Sequence, residues 1–363
     1  MEHKKLSGRV SQWVRPEIQA LSAYHVPDAL NYIKLDAMEN PYHWPEDKVD
    51  EWLSIIAEAE INRYPDPHAK KLKQALRQAM AIPGEMDILL GNGSDEIIQM
   101  IIMAMNRPGQ KILSVEPGFV MYRMIAAFCN MEYIGVPLQK DFSLNFDEML
   151  SIIEQQQPAV IFLAYPNNPT GNLFARDEIE IIIRAAQGLV VIDEAYHAFA
   201  NDSFMNDLGK YENLVVMRTV SKMGLAGLRL GLLAGAKEWL NEFDKVRLPY
   251  NINILTQTSA SFALANHAML DSQTEQIKKD RDQLYQLLSE IDALTVYPSQ
   301  ANFILFRTPV DQAKPIFDGL KTEGVLIKNL DPAGGLLKDC LRVTVGMREE
   351  NHAFLDALQS SLI

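Results

Sequence analysis

"TVSKMGLAGLRLG", residues 219–231, sets one lysine and one arginine seven positions apart among small and apolar residues. Lys222 follows two hydroxyl residues, Thr219 and Ser221, and Gly224, Gly227 and Gly231 surround Arg229. A solvated surface lysine needs no such company. An amine kept out of water beside an anion site does, because desolvation lowers its pKa and glycine lets backbone approach closely. The flanks decide the fold. "LVVMRTV" leads into the stretch and "GLLAGA" leads out of it, and such short apolar runs are typical of strands buried on both faces.

The same kind of run recurs upstream in "DILLG", "KILSVE", "EYIGVPL", "AVIFLAYP" and "LVVIDEAY". Each is bounded by turn residues or a helical pattern. Strand alternating with helix implies a mainly parallel sheet with right-handed crossovers. The reading is a seven-stranded α/β unit flanked by helices, with helices expected over 45–61, 68–80 and the second half of 87–105. Beyond about residue 250 the pattern changes to two long helices, "NILTQTSASFALANHAML" and "SQTEQIKKDRDQLYQLLSEI". "TVYPSQANFILFR", "PIFDGLKTEGVLIKN" and "CLRVTVG" then read as strand, helix, strand, strand. The expected organisation is a large α/β domain over 45–260 and a smaller α+β domain from 1–44 and 261–363. The first forty residues read as irregular.

Bulk composition narrows the classes. With 363 residues and 48% hydrophobic content, the chain can bury a large core. A net charge of −13 opposes a nucleic-acid partner, because no basic stripe offsets phosphate repulsion. Two cysteines, Cys129 and Cys340, make neither a disulfide framework nor a metal motif, which suits a reducing cytoplasm. His25, His43, His68 and His197 show no metal spacing, so no metal is expected. No apolar run approaches bilayer length and no apolar core follows the basic start, so no membrane association or secretory signal is expected.

Ligands of open α/β sheets bind outside the carboxyl ends of the strands. There the sequence puts Ser94 and Asp95 after "LLGNG", Asn167 and Asn168 in "PNNPTG", Asp193 and Tyr196 in "VIDEAY", and Thr219, Ser221 and Lys222. Singly, each has an ordinary explanation as a cap, turn or paired buried carboxylate. Together they suit one cofactor, pyridoxal phosphate. Lys222 supplies the amine that bonds it covalently. Asp193 keeps a pyridinium nitrogen protonated. Asn168 and Tyr196 meet the ring hydroxyl, and Phe119 in "EPGFVMY" covers the ring face. The Ser94–Asp95 backbone at a helix start, with Thr219, Ser221 and Arg229, receives the phosphate.

With those residues in place, the chain resembles the fold-type I pyridoxal-phosphate aminotransferases. The pieces are "LSAYHVPDA", "IKLDAMENPY", "NRYPDP", "GNGSDEII", "PNNPTG", "VIDEAY", "TVSKMGLAGLRLG", "ANFILFR" and "CLRVTVGMREEN". "NRYP" and the "LRVTVG" segment lean toward the family's histidinol-phosphate branch. The resemblance implies that Lys222 is the Schiff-base lysine and that Lys222, Asp193 and Tyr196 are catalytic. It implies that Tyr64 reaches the cofactor phosphate of a neighbouring subunit, so the site is complete in a homodimer. Arg342 would bind the substrate's carboxylate or phosphate, Asn40 would lie near the substrate, and Tyr24 would be a lid residue. Lys328 falls where some relatives carry arginine, keeping the charge without the bidentate geometry. Phe119 stands where the family usually has tyrosine, and Lys222 and Arg229 are one residue closer than in many relatives.

The implied reaction is a ping-pong transamination of L-histidinol phosphate with 2-oxoglutarate in histidine biosynthesis. An aromatic or broad-range aminotransferase, or a phospho-amino-acid decarboxylase, would use the same scaffold with a different substrate rim. A non-catalytic cofactor-binding module would not need to keep Lys222, Asp193, Tyr196 and Arg229 together. A nicotinamide dehydrogenase is rejected, because "GNGSDE" lacks the full glycine fingerprint and its later ribose acid.

Overall fold

The computed structural model describes residues 2–23 and 28–362. Its centre is a seven-stranded sheet in the order Asp87–Asn92, Leu230–Gly235, Leu214–Thr219, Leu189–Asp193, Val160–Ala164, Lys111–Glu116, Glu132–Pro137. These are the seven apolar runs expected from the sequence. All neighbours pair in parallel except Leu230–Gly235, which runs antiparallel to both of its partners.

Alternation along the central strands explains the apolar runs. Ile161 and Leu163 enter the core on one face, while Val160 and Phe162 enter the core on the other, and all four are fully buried. Val190 and Ile192 against Leu189 and Val191 repeat the pattern on the next strand. Burying each such side chain contributes about 1.5–3 kcal/mol, so neither face can turn to water. The helices that cover the faces include Lys70–Ala79, Ser94–Met105, Phe146–Gln156 and Arg176–Ala185.

A second, antiparallel sheet has the order Lys328–Asn329, Cys340–Thr344, Phe303–Arg307, Thr295–Val296. Ile304, Phe306, Leu341 and Val343 pack there against Leu284, Ile316, Leu320 and Phe354 from three helices. The two long helices after residue 250 are Ile254–Ala265 and His267–Ser289. An early piece of chain joins this C-terminal unit. Ile33–Lys34 pairs in parallel with Val325–Leu326, and Leu35 accepts a hydrogen bond from the Thr344 N–H.

One expectation fails. The first forty residues are not irregular, because Glu2–Trp13 and Pro16–Gln19 are helical and Ile33–Lys34 is a short strand. Gly8 sits mid-helix, where glycine is disfavoured, and that hides the helical pattern of its neighbours. The helix expected over 45–61 is shorter, Glu46–Ala57, with Pro45 as its cap.

Candidate active site

The strand ends converge on one cavity of about 120 Å³. Its walls contain Ser94, Asp95, Phe119, Asn168, Asp193, Tyr196, Thr219, Ser221, Lys222 and Arg229, which are ten of the eleven cofactor residues expected from the sequence. The eleventh, Tyr64, lies elsewhere. It is 79% exposed and stacks on Tyr250 at 4.4 Å.

Lys222 follows Leu214–Thr219 in a short 3-10 turn. Its Nζ donates to the Ala37 carbonyl at 3.1 Å. Burial, with Arg342 and Arg229 nearby, brings its pKa down to about 8, while Glu39 works the other way. The lysine is thus closer to being a neutral nucleophile than a surface lysine is. Asp193 ends the neighbouring strand. Its Oδ1 accepts the Ala195 N–H at 3.1 Å and its Oδ2 accepts the Tyr122 hydroxyl at 2.6 Å. Burial pushes its pKa up to about 6, against those two hydrogen bonds.

One glycine of the opening stretch, Gly231, is required by the packing at the expected phosphate site. Helix Ser94–Met105 starts right after Gly93, leaving its first N–H groups without intrahelical acceptors. A Cβ on Gly231 would lie 2.7–2.9 Å from Gly93 and Ser94 backbone, and one on Gly93 would lie 2.7 Å from Arg229 Nη2. Only glycine lets the Arg229 guanidinium lie against that helix start. Arg229 itself adopts a left-handed φ of 49° and approaches Asp95 at 3.5 Å. Thr219 and Ser221 place their hydroxyls 2.8 Å apart on the opposite wall. Gly231→Ala is accordingly expected to cost about 1–3 kcal/mol through overpacking and to weaken phosphate binding. Denaturant melts and phosphate-ester titration of the variant measure both.

The ring end is equally connected. Asn168 Nδ2 donates to the Tyr196 hydroxyl at 3.1 Å, and Asn168 Oδ1 accepts from Arg342 Nη1. Arg342 also donates to the Asp36 carbonyl at 3.2 Å and lies 5.0 Å over the Phe303 ring. A larger cleft of about 690 Å³ opens from this point, bounded by Phe119, Asn168, Arg342, Lys328 and residues 329–337. Lys328 and Arg342 therefore face one space. Asn40 lines neither of these spaces but a separate pocket, donating to Met223 O at 3.4 Å and to Gln273 at 3.0 Å. Tyr24 lies outside the described residues.

Three features escaped the sequence reading. Tyr122 stands one helical turn beyond Phe119, a spacing that could have linked them. The Ala37 contact is a backbone carbonyl and leaves no side-chain signal. A buried ion pair, Arg218 to Glu194 at 2.8 Å, ties the ends of the two central strands, with Ser203 and the Met80 carbonyl as further partners. Arg218 and Glu194 adjoin Thr219 and Asp193 in the chain, so strand alternation turns them to the face opposite the site.

Taken together, the donor set fits pyridoxal phosphate. A low-pKa amine, a buried carboxylate, an aromatic wall, an amide with a phenol, and a helix start with two hydroxyls and a guanidinium all line one cavity. Among the described residues, no helix is long and apolar enough to cross a membrane.

Comparison with known proteins agrees with this arrangement. The profile of the aminotransferase class I and II family matches residues 31–358. Histidinol-phosphate aminotransferase 2 of Nitrosococcus oceani is 57% identical over 352 residues, covering 97% of this chain and 98% of the relative. Histidinol-phosphate aminotransferase of Chromobacterium violaceum is 50% identical over 350 residues, covering 96% and 98%. The crystal structure of histidinol-phosphate aminotransferase from Sinorhizobium meliloti in complex with pyridoxal-5'-phosphate superposes with a TM-score of 0.86. It covers 96% of this chain and 97% of that one at 23% identity, a likeness of fold.

Proposed function

The chain belongs to the aminotransferase class I and II family, and we propose that it moves the amino group of L-histidinol phosphate to 2-oxoglutarate. The products are imidazole-acetol phosphate and L-glutamate, and the reaction belongs to histidine biosynthesis. The observation that carries this reading is the pair of cations, Arg342 and Lys328, facing the cleft next to Lys222. The names of the relatives at 57% and 50% identity support the same substrate.

Bound pyridoxal phosphate supplies an aldehyde that condenses with amines and a ring that accepts the electrons left by a departing α-proton. The chain does the rest. Lys222 would hold the cofactor covalently through its amine, and its Nζ, when free, would serve as the general acid–base for the substrate's α-proton. Asp193 holds the proton on the ring nitrogen, and Asn168 and Tyr196 hold the ring oxygen. The backbone of Ser94 and Asp95, with Thr219, Ser221 and Arg229, would hold the phosphate. Phe119 covers the ring. Arg342 binds the carboxylate of glutamate or the phosphate of histidinol phosphate. Lys328 adds charge, and Asn40 borders the substrate.

A homodimer completes the proposal, with Tyr64 reaching the partner's cofactor phosphate. Ile61, Tyr64 and Leu248 are all more than 70% exposed, which supports a covering partner. Tyr64→Phe is expected to speed cofactor loss roughly tenfold, the value of one charged hydrogen bond. Unchanged retention by dialysis would remove the cross-subunit role. A cytoplasmic location is part of the same reading, since Cys129 and Cys340 are free thiols. Cell fractionation tests it.

Spectral titration of the purified holoenzyme tests the substrate. Histidinol phosphate should bleach the band of lysine-bound cofactor at far lower concentration than phenylalanine or aspartate. A protein that responds only to another amine keeps its family and loses this substrate. Release of carbon dioxide would identify a decarboxylase.

A further inference from the structure

Asp193 has both carboxylate oxygens engaged by the protein itself. Ala195 N–H binds one, and the Tyr122 hydroxyl binds the other at 2.6 Å. Tyr122 is 1% exposed and cannot swing away. Its ring stacks on Phe162 at 4.8 Å with planes 15° apart, and it meets Phe119 edge-on at 5.4 Å. Phe162 belongs to the strand next to that of Asp193. One phenol therefore joins the ring-covering wall to the carboxylate below it.

We propose that Tyr122 is a positioning residue for Asp193, donating to Oδ2 so that the buried carboxylate stays ionised and aimed at a protonated ring nitrogen. The inference rests on the reading that Asp193 serves the pyridine nitrogen of pyridoxal phosphate. Burial opposes the charge, and so do Asp95 and Glu194 nearby. Tyr196, Lys222 and Arg229 are the other titratable groups around the cavity. Burial and the neighbouring carboxylate hold Tyr122 well above its ordinary pKa, so it remains a donor throughout. A hydrogen bond to a charged group is the main local force that can offset this desolvation.

The test is a double-mutant cycle on cofactor dissociation from the holoenzyme, using wild type, Y122F, D193N and the double variant. Y122F should release pyridoxal phosphate roughly ten- to hundredfold faster than wild type. That difference should shrink to a few-fold, the value of a neutral hydrogen bond, when Asp193 is already asparagine. An equal difference in both backgrounds, or none in either, overturns the proposal, since packing alone would not depend on the charge. A second readout is apoprotein stability against pH. Asp193 has a folded pKa of about 6 against an ordinary 3.8, so its contribution is full below about 4 and lost as pH rises through about 6. In Y122F the loss should extend about one pH unit higher, and in D193N it should be absent. If Y122F does not fold, site-specific 3,5-difluorotyrosine at 122 keeps the ring and strengthens the donor. It should move the stability midpoint down, and an unmoved midpoint refutes the role. A wild-type protein that binds no pyridoxal phosphate, or a D193N protein that binds it as wild type does, removes the underlying reading instead.

Discussion

Lys222→Ala lowers transamination by about 10⁴-fold or more and leaves the fold standing. The size follows from the two jobs that end on one nitrogen, covalent capture and proton transfer, the second alone being worth about 10²–10⁴-fold. The fold survives because Lys222 donates a hydrogen bond only to the Ala37 carbonyl among the described residues, and its removal takes a desolvated cation out of the site. Cofactor should still bind without the bond, through the phosphate cradle and Asp193. Single-turnover kinetics and the missing band of lysine-bound cofactor check both halves. A pH series adds a third. Only the neutral amine attacks an aldehyde, and burial brings the Lys222 pKa down to about 8. Uptake of pyridoxal phosphate by the wild-type apoprotein should therefore speed up as pH rises through about 8 and level off above it. A rate still climbing toward the ordinary lysine value would mean that the amine is not desolvated.

Asp193→Asn is expected to cut kcat by about 10²–10³-fold, the range for losing one preorganised electrostatic partner of a developing charge. The asparagine is nearly isosteric. Its carbonyl oxygen can still accept from Tyr122, so the packing around it should hold. What it cannot do is carry the negative charge that keeps a proton on the ring nitrogen. The loss should therefore fall on kcat, with KM for 2-oxoglutarate little changed, because Arg342 and not Asp193 faces the substrate cleft. A variant with a raised KM and normal kcat would move Asp193 out of the proton-holding role.

Much of this was readable from the chain because burial on both faces leaves strong marks. Seven strands such as "AVIFL" and "LVVID" are uninterrupted apolar runs, and each polar residue directly after one must sit at the sheet's rim. That logic picked out eight of the ten expected cofactor residues that line one cavity, Phe119 and Arg229 being added from the chemistry of the cofactor. It could not give the direction of Leu230–Gly235, since an apolar run reads the same both ways. Nor could it find the Glu2–Trp13 helix through Gly8. Tyr122 looked like one more apolar-face aromatic, and nothing in its neighbours names the carboxylate it meets 71 positions later. That Lys328 and Asn40 line two different pockets depends on how distant segments dock, which no local pattern encodes.

The pairing of Ile33–Lys34 with Val325–Leu326, and of Arg342 with Asn168 and the Asp36 carbonyl, has a consequence for the order of synthesis. The segment that carries Ala37 to the lysine has no strand to lie on until Val325–Leu326 has been made. A nascent chain can complete the seven-stranded sheet, with its lysine and phosphate cradle, while the wall opposite is still unmade. Competence to hold substrate would thus wait for residues 325–342. A ribosome that stalls or a protease that clips near residue 325 would leave the seven-stranded sheet without that opposite wall.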